Sequence, residues 1–132
     1  MKEVLAIIRP NRMNVTKQAL VGAGIPSFTA AMVMGRGKRT LDKELVEAIY
    51  TGSVESDEML PLIAKGPACM PKRMISMVVP DQMVSSVVKI ITEINQTGSP
   101  GDGKIFVMPM LDVVRVRTGE SGESAIDEMK GI

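Results

Sequence analysis

The strongest constraint on this chain is a pattern that occurs twice. A short apolar run closes on proline, a helix-period segment closes on glycine, and another apolar run follows. In the first copy, residues 2–9 read as a buried strand stopped by Pro10. Proline lacks the N–H that a ladder needs, and it restricts the residue before it. Residues 12–23 read as a helix, with Val15, Ala19 and Ala23 recurring on one face and Leu20 beside them. Gly24 sits where a helix C-cap belongs. Residues 27–34 read as a second strand, ended by Gly35-Arg36-Gly37. In the second copy, residues 72–79 read as a strand closed by Pro80, and Asp81 is a candidate cap for the next helix. Val84, Val87, Val88, Ile91 and Ile94 mark one apolar face of a helix over 82–96, which Thr97-Gly98 ends. Residues 104–109 and 112–117 are two further strand candidates, split near Pro109.

The order is β-α-β, a long loop, then β-α-β. Two such units form an α+β, ferredoxin-like βαββαβ sandwich, an antiparallel sheet with two helices on one face. A length of 132 residues suits one domain with one modest core, spanning 1–132. The sheet's other face is expected to be partly apolar and to be covered by oligomerisation. The region 37–71 is too long for an ordinary connection. Within it Leu41, Leu45, Val46 and Ile49 share a helical face, with Thr40 as a candidate N-cap. It reads as an arm that orders on a ligand or partner.

Composition narrows the function. Aromatic residues are only 2%, so Val, Ile, Leu, Ala and the twelve Met must fill the core. A net charge of +1 argues against a general nucleic-acid binder. There is no apolar stretch long enough for an integral membrane segment, and the N-terminus does not read as a signal peptide. Cys69 is the only cysteine, which excludes an intrachain disulfide, and a cytoplasmic location is the default. The absence of histidine removes Ser-His-Asp and Cys-His catalysis and the commonest zinc ligand. Carboxylate acid–base work and Lys/Arg electrostatics remain.

Four segments carry candidate chemistry. Thr97-Gly98-Ser99-Pro100-Gly101-Asp102-Gly103-Lys104 matches the spacing of a phosphate-binding P-loop from Gly98 to Lys104. Ile105 occupies the position of the Mg²⁺-holding hydroxyl, and helix precedes strand rather than following it, so the P-loop reading fails. Backbone N–H groups at Gly101 and Gly103 can still approach phosphate oxygens closely. In Val113-Val114-Arg115-Val116-Arg117, strand alternation puts both arginines on one face and points Val114 and Val116 into the core. Two guanidinium forks beside Lys104 suit a polyphosphate. Gly35-Arg36-Gly37-Lys38-Arg39 suits an anion, and Lys72 opens a strand just after Pro71.

Taken together, the order and spacing of these pieces resemble the PII signal-transduction family over residues 1–36 and 72–126. The most specific parts are Thr97-x-x-x-Gly101-Asp102-Gly103-Lys104-Ile105-Phe106-Val107 and Arg115-Val116-Arg117-Thr118-Gly119-Glu120. Ala6-Ile7-Ile8-Arg9-Pro10 also looks like that family's first strand. The resemblance implies a regulator, not an enzyme, built as a trimer with ATP or ADP in clefts between subunits. It places the nucleotide on Ile7, Thr29, Gly35, Gly37, Lys38, Val78, Gly101, Asp102, Gly103, Lys104, Arg115 and Arg117. Lys104, Arg115 and Arg117 would meet the phosphates. Lys72 matches the lysine that pairs with a 2-oxoglutarate carboxylate, and residues 38–70 match the target-contacting T-loop.

Three departures refine this. The T-loop is longer than in typical members. Arg39 stands where the family usually has a glutamine that helps hold Mg²⁺, so Arg39 is expected to pair with 2-oxoglutarate directly and Mg²⁺ is a candidate ligand without an assigned residue. The modified tyrosine is missing: Tyr50-Thr51-Gly52-Ser53 resembles the stretch before it, but no tyrosine follows, so uridylylation is not expected. The long loop and the Gly-Arg-Gly-Lys run resemble the nitrogenase-associated PII proteins of methanogens and anaerobes. Those work as paired paralogues that bind the dinitrogenase component and switch it off until 2-oxoglutarate releases it. The assembly is expected to be a homotrimer or a hetero-oligomer with a PII paralogue. The alternatives are a PII-type regulator of an ammonium transporter and a small phosphate-ester or acyl-phosphate hydrolase on the same fold.

Overall fold

The computed structural model describes residues 1–37 and 69–126. Its regular elements are β1 (Lys2–Ile8), α1 (Met13–Gly22), β2 (Thr29–Gly35), β3 (Met70–Val79), α2 (Val84–Asn95) and β4 (Lys104–Pro109). They form a four-stranded antiparallel sheet in the order β2-β3-β1-β4. This is the expected ferredoxin-like α+β arrangement, in which β1 and β3 are the central strands.

Alternation decides which face of the sheet is covered. In β1, Val4, Ala6 and Ile8 are buried, while Leu5 and Ile7 are only half-buried. The antiparallel register sets Ala6 opposite Ile75 and Ile105, and Val4 opposite Met77. These residues form the floor on which the helices pack. From α2 come Val87 and Ile91, one helical turn apart, with Met83 one turn earlier. Each such side chain contributes roughly 1.5–3 kcal/mol by leaving water. The opposite face carries Leu5 against Phe106 and Ile7 against Met74, with Phe106 46% exposed. It is partly apolar, as expected.

Both helices open on a 3₁₀ turn led by a Pro-containing corner, at Pro10–Arg12 and Asp81–Met83. Asp81 does not cap α2 through its side chain; its carboxylate instead meets the N-terminal ammonium at 2.9 Å and Lys2 Nζ at 3.0 Å. α1 ends as expected. Gly24 has φ +89°, its N–H reaches Val21 O, and the Ile25 N–H reaches Leu20 O, closing a Schellman motif.

Two expectations need correction. The buried face of α1 is Met13, Thr16 and Leu20, whereas Val15 and Ala23 are exposed. Thr16 is buried because it is satisfied: its hydroxyl donates to Arg12 O at 2.7 Å and accepts from Asn95 Nδ2 at 3.1 Å. Arg12 completes this link between the helices by donating to Ile94 O at 2.8 Å. Second, residues 112–117 are not a strand. Their ladder is a single bridge, Val114 to Ser121, and the chain turns at once, with the Gly119 N–H on Arg115 O at 2.7 Å. Val114 and Val116 do not enter the core; they are 59% and 99% exposed.

Candidate functional site

The glycine-rich turn after α2 is organised around one carboxylate. Asp102 Oδ2 accepts from the backbone N–H of Thr97 at 2.7 Å and of Gly98 at 2.9 Å. Asp102 Oδ1 accepts from the Thr97 hydroxyl at 2.5 Å and forms an ion pair with Arg9. Arg9 also donates to Pro100 O at 3.2 Å, so one guanidinium grips the turn at two points. The Thr97 hydroxyl and N–H hold the Asp102 carboxyl well below the usual carboxylate range, with Arg9 and the Gly98 N–H adding to the effect. Asp102 therefore stays ionised and closes the loop on itself.

That clamp brings the turn down onto the end of β1. Gly103 has φ +111°, and a Cβ there would lie 1.8 Å from the Ile7 carbonyl oxygen. Only glycine allows this approach, and it leaves the backbone of the turn uncovered by side chain. Lys104 follows as the first residue of β4, opposite Ile7. From β3, Lys72 Nζ donates to Gly101 O at 2.7 Å. Gly35, at the end of β2, lies beside Lys72, since a Cβ on it would meet Lys72 Cγ at 3.8 Å. Ile7, Gly35, Lys72, Gly101, Asp102, Gly103 and Lys104 are thus gathered at one end of the sheet.

The other expected residues gather elsewhere. Thr29 and Val78 line a cleft of about 190 Å³ with Val113 and Ile126. Val78 lies six residues along β3 from Lys72, roughly 20 Å at the rise of a strand. Arg115 follows two residues after Val113 of this cleft. Its guanidinium contacts Glu120 Oε1 at 3.2 Å and Ser124 O at 3.1 Å. Because the segment turns, the expected strand face shared by Arg115 and Arg117 does not form. Arg117 lies exposed within the turn. Gly37 is exposed at the end of the described N-terminal part, and Lys38 and Arg39 lie outside the described residues, as does nearly all of the expected T-loop and Tyr50.

Arg9 is the residue that sequence reasoning passed over. A charged side chain closing a buried strand was the available signal, but its partner lies 93 positions away. Among the described residues, no cluster of three or more acidic, histidine or cysteine side chains is placed to hold a metal. No described helix is long and apolar enough to cross a membrane.

Comparison with known proteins gives a consistent result. The family model described as nitrogen regulatory protein P-II matches residues 1–120. A protein of Methanobacterium ivanovii named nitrogen fixation nifHD region GlnB-like protein 2 is 49% identical over 127 residues, covering 96% of this chain and 99% of its own. A Methanococcus maripaludis protein of the same name is 45% identical over 129 residues, covering 96% of this chain and 100% of its own. Among solved structures, Arabidopsis thaliana PII bound to citrate superposes with a TM-score of 0.68 at 35% identity, covering 94% of this chain and 90% of that one.

Proposed function

This chain belongs to the nitrogen regulatory protein P-II family, whose members are regulatory signalling proteins and not enzymes, and on that footing we propose that it senses adenine nucleotide together with 2-oxoglutarate and regulates nitrogen fixation. The observation that carries the reading is the clamped glycine turn with Lys72 donating into it. The turn offers backbone N–H groups held in place before any ligand arrives, next to the Lys104 ammonium. This suits the phosphates of ATP or ADP. Gly103, which tolerates no side chain, fits that use.

A dianionic ketoacid joins the Gly101 carbonyl at Lys72. The ammonium has three N–H donors, so a carboxylate shares it with the Gly101 carbonyl, and the pull on Lys72 re-aims the bond to the turn. That links ketoacid binding to the nucleotide loop through one atom. The two ends of β3 hold two halves of the expected nucleotide set, so Thr29, Val78, Arg115 and Arg117 complete the site from a neighbouring copy or a paralogue. The half-apolar sheet face is the surface on which such an assembly forms. The target contact belongs to residues 38–70, with Lys38 and Arg39 at its root. The nifHD-region relatives favour the dinitrogenase component of nitrogenase over an ammonium transporter as target. A cytoplasmic location goes with that target. Residues 1–132 act as one PII-like domain.

Calorimetric titration tests this. 2-Oxoglutarate is expected to bind far more tightly with Mg-ATP present than without it. A coupling of about 1–3 kcal/mol corresponds to roughly 5- to 150-fold in affinity. If neither ligand produces heat at millimolar concentration, the sensing reading fails and only the family relationship remains.

A further inference from the structure

In the turn after β4, Arg115 is already paired with an anion of the protein's own. The bridge between Val114 and Ser121 sets an antiparallel register in which Arg115 and Glu120 are the next pair toward the tip. The backbone holds them there: the Arg115 N–H donates to Glu120 O at 2.8 Å, and the Gly119 N–H donates to Arg115 O at 2.7 Å. Side chains directly opposite each other in such a ladder lie within reach. These two meet, with Arg115 Nη1 donating to Glu120 Oε1 at 3.2 Å. Nη2 donates to Ser124 O at 3.1 Å. Both terminal nitrogens of the guanidinium are therefore engaged inside the turn. The nearby Asp112 has a different task, since its Oδ1 accepts from the backbone N–H groups of Val113 and Gly122.

Arginine grips a phosphate best by presenting two N–H groups side by side, with its charge uncompensated. Here the fork faces a carboxylate instead. On the reading that Arg115 meets nucleotide phosphate, we propose that Glu120 is a resident counter-anion that tunes this site: it holds the Nη1 side of Arg115 until a phosphate displaces it, and so weakens nucleotide binding. Glu120 is 46% exposed, so the pair is of the weak, solvated kind and opens readily. Ser124 O keeps its hold on Nη2, which confines the opening to one side of the guanidinium. Competition of this form raises the dissociation constant by one plus the formation constant of the pair. For exposed ion pairs that is about two- to sixfold. Glu120 acts through Arg115 and is a positioning residue.

The test is calorimetric titration of the full chain with ATP, in the parent and in Glu120→Gln, Glu120→Ala and Arg115→Met. The backbone bond between residues 115 and 120 is independent of the Glu120 side chain, so both Glu120 variants keep the turn. Each is expected to bind ATP about two- to sixfold more tightly than the parent. Their urea midpoints should stay level with the parent's or fall slightly, because an ion pair has been removed. Tighter binding without higher stability is a signature that a merely structural role for Glu120 does not produce. Arg115→Met should bind ATP more weakly than the parent. If Arg115→Met weakens ATP binding but neither Glu120 variant tightens it, the proposal alone is overturned and the nucleotide reading stands. If Arg115→Met binds as the parent does, or if the parent itself binds no ATP at millimolar concentration, the role of Arg115 falls and the proposal falls with it.

Discussion

Gly103→Ala is the most informative single change in this protein. Two penalties act there, and other glycines separate them. At φ +111° an alanine occupies a backbone region that L-residues avoid, at about 1–2 kcal/mol. Its Cβ would also lie 1.8 Å from Ile7 O and 3.0 Å from Ile7 C, so backbone must move. Forced backbone shifts of this kind cost typically 1–3 kcal/mol. The sum is about 2–5 kcal/mol, a large share of the roughly 5–15 kcal/mol that holds a domain together. Gly98 also has a positive φ, +86°, but a Cβ there meets nothing within 4 Å, so Gly98→Ala carries only the first penalty, about 1–2 kcal/mol. Gly22 has neither problem and ends α1, so Gly22→Ala should stabilise by about 0.4–1 kcal/mol.

Urea denaturation at one fixed protein concentration measures all three, since the proposed assembly would make stability concentration-dependent. The expected order of stability is Gly22→Ala, parent, Gly98→Ala, Gly103→Ala. Nucleotide affinity should fall most for Gly103→Ala, whose strain sits under the turn. The reasoning is refuted if Gly103→Ala and Gly98→Ala are equally stable, because the approach to Ile7 would then be relieved at no cost.

Three further outcomes follow from the geometry. The depressed carboxyl of Asp102 stabilises the native state fully above the ordinary carboxylate value near ~4, and that contribution fades as pH falls below it. Asp102→Asn should therefore lower stability at pH 7 and flatten its decline between pH 5 and pH 3, read from urea midpoints across that range. Lys72→Ala should remove the ketoacid response while sparing most ATP binding, measured by calorimetry; an intact response would falsify the assignment of Lys72. Ile91→Ala, which empties a position 1% exposed in the core, should cost about 2–5 kcal/mol by the same denaturation assay.

The parts legible in the sequence were those fixed by local chemistry. β1, β3 and β4 are apolar runs bounded by Pro10, Pro80 and Pro109, and they appear where proline and alternation put them. α2 was legible because Val87 and Ile91 repeat at one helical turn. α1 was not, because its buried polar residue Thr16 is made acceptable by Asn95, 79 positions away, and no local pattern reveals that partner. Residues 112–117 alternate as a strand should, yet a strand needs a neighbour, and this segment finds only Ser121. The glycine turn was recognised from its residues, but its mechanics were not: Asp102 faces inward to Thr97, Gly98 and Arg9.

That inward orientation bears on how the candidate site works. The resemblance places twelve residues in clefts between subunits, and within one chain Lys72 and Gly101 meet at one end of β3 while Thr29 and Val78 line a cleft toward the other. Asp102, which the resemblance groups with the nucleotide-binding positions, has both oxygens engaged by Thr97, Gly98 and Arg9. Its contribution is to fix the backbone of Gly101 and Gly103. Arg115, expected beside Lys104, holds Glu120 and Ser124 in the turn after β4. Along β3 roughly 20 Å separates Lys72, beside the glycine turn, from Val78, in the cleft that Val113 also lines. In the proposed assembly each chain supplies the glycine turn to one ligand and Arg115 to another. Nucleotide binding and subunit association are then linked, and a chain held monomeric should lose nucleotide affinity even with every candidate residue intact.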